Sequence, residues 1–165
     1  MTVLVVGGTG ALRPAARRLA GAGCDVVALA RHASVDEGVR SLIADWTDVD
    51  TLRAALAAQA PFEAALVYAP RAANDALQAI RDVTVGRVVL SLSSANAAPA
   101  GGATRGDDEY HLEPMPGYVL VQLGWTAPPP SRWHTQEEIS RACLGALDDG
   151  LDRVLGVVRP WSDRP

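Results

Sequence analysis

Residues 3–12 read Val3-Leu4-Val5-Val6-Gly7-Gly8-Thr9-Gly10-Ala11-Leu12, and this stretch decides the fold. The apolar run over 3–6 is short and bounded by glycines, so it reads as a buried strand. Beyond it, Leu12, Ala15, Ala16, Leu19 and Ala20 recur at helical spacing. Pro14 falls in the first turn, where backbone N–H groups lack partners anyway, and Gly21 and Gly23 end the helix. The glycine-rich segment therefore joins a strand to a helix. Gly7 permits a tight turn, and Gly10 lets backbone come close to a pyrophosphate. The helix N-terminus presents free N–H groups and the positive end of its dipole. This strand–turn–helix context is what a dinucleotide-binding turn requires, and it assigns Gly7, Thr9, Gly10, Ala11 and Leu12 to phosphate binding.

Working outward, short apolar runs alternate with amphipathic segments. Strands are expected over 26–30, weakly over 41–44, and over 64–68, 87–92, 118–123 and 154–158. Between them, Val49, Leu52, Ala55 and Leu56 mark a helix capped by Thr47 or Asp48 and ended by Pro61. Ala73, Ala76, Leu77 and Ile80 mark another. Thr135 and Glu138 form a capping box opening a helix that buries Ile139, Ala142, Cys143 and Ala146 and ends at Gly150. The order implies an α/β chain: a doubly wound, mostly parallel sheet in a three-layer α/β/α sandwich. No composition shift marks a second domain, so residues 1–165 read as one Rossmann-type domain binding NAD(P). Ligands should lie at the strand C-termini, where the strand order reverses between the first and fourth strands. Residues 93–116 show no period, and an irregular loop of that length reads as an active-site or substrate loop. Pro128, Pro129 and Pro130 read as a stiff connector.

Composition narrows the chemistry. The chain of 165 residues is 48% hydrophobic, with net charge −4, which fits a globular core and argues against nucleic-acid binding. All 15 basic residues are Arg. The absence of Lys excludes Schiff-base chemistry, a P-loop Lys and a Tyr/Lys proton relay. Cys24, Cys143 and the scattered histidines have no metal-ligand spacing, so no metal is expected. The cysteines suit a reducing compartment as small buried hydrophobes. The first apolar run lacks the basic flank of a signal peptide, and no run is long enough to span a membrane. A cytoplasmic protein without membrane or nucleic-acid partners is expected.

Leu4 to Leu12, LVVGGTGAL, resembles the opening of the short-chain dehydrogenase/reductase superfamily, especially its atypical branch. The resemblance covers about residues 2–95. RVVLSLSS over 87–94 is similar to that superfamily's fifth strand with its terminal serines. Asp45 resembles the acidic residue placed near adenine, and Ala69 the small residue facing the cofactor ribose. WHTQEEIS and GVVRPW, towards the C-terminus, resemble small members of the same branch. The resemblance implies a nicotinamide cofactor, contacted also by Ser93. Where the family's third fingerprint glycine would stand, this chain has Arg13, which reads equally as a phosphate contact or as a solvated helix Arg.

The end of the second strand carries Arg31 rather than a carboxylate, which favours NADP over NAD because a guanidinium fork matches a ribose phosphate; NAD stays open. The family resemblance places Ser94 at the catalytic serine, and Tyr110 lies in the loop beyond. The family's Lys position falls on Pro114, so the usual relay is absent. Candidate proton donors are Tyr110, His111 and Tyr118, with ordinary loop positions as the alternative for Tyr110 and His111. An imine substrate needs less help. Asp107, Asp108 and Glu109 read as solvated loop residues and His134 as a surface residue. Trp125 and Trp133 suit a pocket wall, a homodimer interface or the core. The expected function is an NADP-dependent oxidoreductase acting on a small carbonyl or imine, as a homodimer supplying a missing wall. The alternatives are a dinucleotide-binding sensor or regulator, and a non-redox dehydratase or cyclase. The Ala-rich, Lys-free composition resembles high-GC bacterial proteins, which associates the chain with secondary metabolism.

Overall fold

The computed structural model describes residues 1–33, 36–70, 74–99, 110–127 and 130–165. Its elements are β1 (Thr2–Val6), α1 (Arg13–Gly21), β2 (Asp25–Ala30), β3 (Val39–Ile43), α2 (Val49–Ala57), β4 (Phe62–Val67), α3 (Asn74–Asp82), β5 (Thr84–Leu92), β6 (Val119–Leu123), α4 (Gln136–Asp149) and β7 (Arg153–Leu155). The seven strands form one sheet in the order β3-β2-β1-β4-β5-β6-β7. Every pair is parallel. The expected doubly wound α/β class is the observed one, and the strand order reverses between β1 and β4.

Burial explains the strand composition. Val3, Leu4, Val5 and Val6 of central β1 are inaccessible to solvent, because helices cover both faces. β3 lies at the edge and carries Arg40 and Ser41 in exposed positions. There Arg40 grips Asp25 with two bonds of 2.8 Å each, tying β3 to the start of β2. α2 and α3 pack on one face through Leu52, Leu56, Ala76 and Ile80. α1 and α4 pack on the other through Leu12, Ala15, Ala16, Leu19, Cys143 and Ala146.

That placement of α4 runs against the strong right-handed preference of parallel crossovers. α1 links β1 to a neighbour on one side, and α4 links β6 to a neighbour on the other. Sharing a face, the two crossovers have opposite hands. Sequence periodicity carries no information about this choice. Its consequence is local: the N-termini of α1 and α4 lie side by side at the C-terminal edge of the sheet. Ser140, fully buried in α4, accepts a hydrogen bond from Ala15 N–H at 3.1 Å and donates to the Ala11 carbonyl at 3.4 Å. Nearby, Cys143 Sγ lies 3.1 Å from Ser91 Oγ, and burial pushes its thiol up to about 11, which makes it inert.

The caps follow the sequence. Asp48 caps α2 by accepting from Thr51 N–H at 3.1 Å. Thr135 and Glu138 form the capping box of α4, and Gly150 closes that helix at φ +77°. Glu138 also takes a two-bond grip from Arg132, at 2.8 Å each. Arg132, and then the Thr135 N–H, hold its carboxyl well below the usual range. Since the folded pKa lies below the unfolded one, this stabilisation is complete above about pH 4–5 and is lost as pH falls through the folded value. Glu138→Gln is expected to lower Tm at pH 7 by about 2–4 °C. The gap from the parent should narrow towards pH 3; a constant gap across that range would contradict the account.

Three expectations change. The last strand ends at Leu155 rather than running to 158, because Gly156 at φ +78° breaks it; Val157 then pairs antiparallel with Trp125. β5 starts earlier, at Thr84. In the irregular segment, Ser94–Ala97 forms a 3-10 turn. Residues 100–109, including Asp107, Asp108 and Glu109, lie outside the described residues, as do Ala73, Pro128 and Pro129. Trp125 is buried at the centre of a separate cluster with Ala97 and Val158, and Trp133 and Trp161 meet it edge-on at 6.3 and 5.8 Å. Among the described residues, no helix is long and apolar enough to cross a membrane, and no group of three metal-ligating side chains converges.

Candidate functional site

The glycine turn is built by backbone constraints. Gly7 adopts φ +84°, and its N–H donates to the Leu29 carbonyl at 3.1 Å. A Cβ there would sit 2.8 Å from the Tyr68 carbonyl oxygen. Gly7 is thus wedged between the ends of β2 and β4, at the switch point. Its own carbonyl accepts from the N–H groups of Gly10 and Leu12 at 3.0 and 3.2 Å, which closes the turn. A Cβ on Gly8 would meet the Ala28 Cβ at 3.0 Å and the Val5 carbonyl oxygen at 3.1 Å. Gly8 therefore lets the turn pack on the sheet, a role the sequence reading did not assign. A Cβ on Gly10 would find nothing nearer than 3.7 Å, so the crest of the turn is open, with Thr9 exposed upon it. The residue at the start of α1, Leu12, makes no side-chain cap and the first turn holds no acidic residue; the Ala15 N–H there is satisfied from α4, by Ser140 Oγ. Leu12 is buried in the core below. The Arg13 guanidinium is gripped by Asp36 at 2.8 and 2.9 Å, and the Asp36 side chain is only 9% exposed. Arg13 is thereby engaged with a carboxylate of the connection between β2 and β3.

Among the described residues, two clefts that share Ser93 lie at the C-terminal edge of the sheet. The larger, of about 530 Å³, runs between Arg31, Asp45, Trp46 and Thr47 on one side and Pro70, Ser93 and Ala95 on the other. Asp45 accepts from the Thr47 N–H and hydroxyl at 2.9 and 2.8 Å, and these bonds hold its carboxyl below the usual range. Ala69 is buried beside Pro70. The smaller cavity, of about 210 Å³, is walled by Tyr68, Leu123, Ile139 and Trp133 and carries Ser93, Ser94 and His134 as its polar groups. Ser93 lines both. Arg31, Asp45, Ser93 and Ser94 thus line these two clefts, which meet at Ser93.

The candidate proton donors fall elsewhere. Tyr110 packs against the Trp125 cluster, and its hydroxyl donates to Gln122 Oε1 at 3.0 Å. Gln122 is fully buried in β6, and its Nε2 donates to the Ser93 carbonyl at 3.0 Å. Arg159 lies 5.5 Å from the Tyr110 ring centre. Burial raises the Tyr110 phenol above its ordinary value. The Tyr118 hydroxyl donates to the Leu77 carbonyl at 3.0 Å, fixing β6 against α3. His111 is exposed. His134, expected on the surface, has a side chain only 8% exposed. The turn into α4 folds its imidazole against Gly156, where a Cβ would fall 2.3 Å from Nε2. The glycine inside the VLGVV run was the available signal for that close approach.

No protein-family model matches the sequence, and no curated protein matches it. Solved structures do. A Rossmann-fold NAD(P)-binding family protein from Shigella flexneri aligns with TM-score 0.57 and 16% identity, over 90% of this chain and 87% of that one. A short chain dehydrogenase/reductase family protein aligns with TM-score 0.61 and 21% identity, over 94% and 95%. A variant of a Serratia marcescens short-chain dehydrogenase/reductase gives TM-score 0.64 and 17% identity, over 94% and 96%. At these identities the likeness is one of architecture: the chain has the Rossmann-type fold found in short-chain dehydrogenase/reductase proteins.

Proposed function

We propose that the chain binds a nicotinamide dinucleotide, NADP in preference to NAD, along the groove across the switch point, and works as an oxidoreductase on a small carbonyl or imine. The observation that carries this reading is the Gly7 turn with its open crest at Gly10, at the C-terminal end of β1 and against the ends of β2 and β4. The residues present fit the group. The α1 N-terminus and the Gly10 crest suit the pyrophosphate. Arg31 is exposed at the adenosine end and suits a ribose phosphate, with Asp45 and Thr47 beside it. Ser93 and Ser94 stand where the nicotinamide end meets the smaller cavity. When bound, the dinucleotide supplies hydride; the protein supplies binding, orientation and a proton.

Calorimetric titration with NADPH and NADH tests this reading. Arg31→Ala is expected to weaken NADPH about tenfold or more while leaving NADH within twofold, because the lost contact is to the extra phosphate. Equal affinity of the parent for both cofactors would overturn the preference.

Two observations favour a second reading, a dinucleotide-binding sensor without turnover. The Tyr110 hydroxyl is engaged by Gln122, and the relay Lys is replaced by Pro114. Incubation with NADPH and a panel of ketones, aldehydes and cyclic imines separates the two. Loss of the reduced-nicotinamide absorbance supports the oxidoreductase. Tight binding with no loss across the panel supports the sensor.

A further inference from the structure

We propose that Tyr68 is the proton donor of this site and that the substrate is an uncharged, single-ring ketone. The inference rests on the oxidoreductase reading above and names the group that does the work of the absent Tyr/Lys pair.

Tyr68 follows β4 directly, and its backbone is pinned beside the glycine turn. Its N–H donates to the Val6 carbonyl at 3.0 Å, and its own carbonyl oxygen lies 2.8 Å from where a Gly7 Cβ would fall. Alternation along the strand sends its side chain to the α4 face, with Ala64 and Leu66. There it walls the smaller cavity together with Ser93 and Ser94. The residue is half-buried, yet its hydroxyl bonds to none of the described residues and keeps access to solvent. A phenol O–H without an internal acceptor is free to donate to a ligand in the cavity it lines. The other candidates are taken or lie elsewhere. Tyr110 donates to Gln122, and Tyr118 to the Leu77 carbonyl. The His134 ring nitrogens are enclosed, with Nε2 against Gly156. His111 is exposed and lines neither cleft.

The two serines differ in the same way. Ser93 donates its hydroxyl proton to Asn96 Oδ1 at 3.1 Å, whereas the Ser94 hydroxyl bonds to none of the described residues. Tyr68 and Ser94 are therefore the free hydroxyls of this cavity, and a carbonyl oxygen has two lone pairs to receive them. The cavity also selects the rest of the substrate. Its volume is about 210 Å³, and an apolar cavity of roughly 150 Å³ already admits benzene. Leu123, Ile139 and Trp133 supply apolar walls, and no carboxylate or guanidinium is among the described lining residues. One ring bearing a carbonyl suits this lining, and a charged substrate does not.

The step balances. The carbonyl carbon accepts hydride, with its electron pair, from the reduced nicotinamide, so the carbonyl is reduced and the dinucleotide oxidised. The carbonyl π pair moves onto oxygen. That oxygen takes the proton from Tyr68 Oη while Ser94 holds it by a hydrogen bond, and water returns a proton to the phenolate.

The first test needs no turnover. The chain has three tyrosines, Tyr68, Tyr110 and Tyr118, so NMR of ring-carbon-labelled tyrosine gives three phenol Cζ signals, and Tyr68→Phe identifies one of them. With NADP⁺ bound, acetophenone is expected to move the Tyr68 signal and leave those of Tyr110 and Tyr118 in place. If NADP⁺ binds and acetophenone leaves Tyr68 unmoved, the proposal falls while the cofactor reading stands. If NADP⁺ itself fails to bind, both fall. Kinetics with NADPH and acetophenone give the second readout. Tyr68→Phe is expected to keep NADPH affinity and the ketone KM within about threefold and to lower kcat by about 10²–10⁴. Unchanged kcat would overturn the assignment. Turnover of other carbonyls but not of acetophenone would overturn the substrate class and leave the oxidoreductase reading standing; no turnover of any carbonyl would overturn both. Should Tyr68→Phe lose NADPH binding, the NMR experiment on the parent chain decides.

Discussion

Gly7→Ala is expected to abolish dinucleotide binding and to destabilise the fold by about 2 kcal/mol or more. Two independent effects combine. The residue sits at φ +84°, where an L side chain costs roughly 1–2 kcal/mol. Its Cβ would also press to 2.8 Å from the Tyr68 carbonyl oxygen, a backbone atom that cannot step aside without moving the end of β4. The turn must therefore open, and the hydrogen bonds from Gly10 and Leu12 to the Gly7 carbonyl go with it. Urea unfolding and NADPH titration read the two consequences separately. Gly10→Ala is the control. A Cβ there meets nothing within 3.7 Å, so stability should be kept while the pyrophosphate loses its close approach. Equal loss of stability in both variants would show that the turn is not organised around Gly7.

Trp125→Ala is expected to cost about 3–5 kcal/mol, the largest loss from any single side chain in the C-terminal part of the molecule. The side chain is fully buried, and it clusters with Trp133, Trp161, Ala97 and Val158. Its backbone also bridges to Val157 and Trp133, so the turn into α4 and the segment after β7 both rest on it. Deleting it leaves a cavity that backbone pinned by these bridges cannot close. Because Trp133 and His134 wall the smaller cavity, substrate binding should suffer before cofactor binding does. A fall in urea-unfolding free energy under about 1 kcal/mol would contradict the placement of Trp125 as the centre of that cluster.

Local signals carried most of the fold. The alternation of apolar runs with helical stripes is written in neighbouring residues, as are the glycine turn, the Asp48 cap and the Thr135–Glu138 box, and each was legible. Arg31, Asp45, Ser93 and Ser94 follow strand C-termini, where a doubly wound sheet places its ligands, and all four line the clefts there. What was not legible depends on distant packing. The hand of the β6-α4-β7 crossover decides that Ser140 bonds to the α1 N-terminus, and no periodicity records it. Arg13 looks free in sequence but meets Asp36, 23 residues away in the connection between β2 and β3. Tyr110 looks like a loop residue but is drawn to a glutamine buried in β6. His134 looks polar and exposed, yet a left-handed glycine far along the chain makes a niche for it.

In the proposed function a dinucleotide lies across the switch point, between the glycine turn and the cleft walls. The most direct test is an amide NMR titration of the chain with NADPH. The expected result is saturable shifts at residues 7–12, 31, 45–47 and 93–95, the turn and the two walls of the groove. Saturation that leaves those amides unmoved, or no binding at millimolar NADPH, would contradict it.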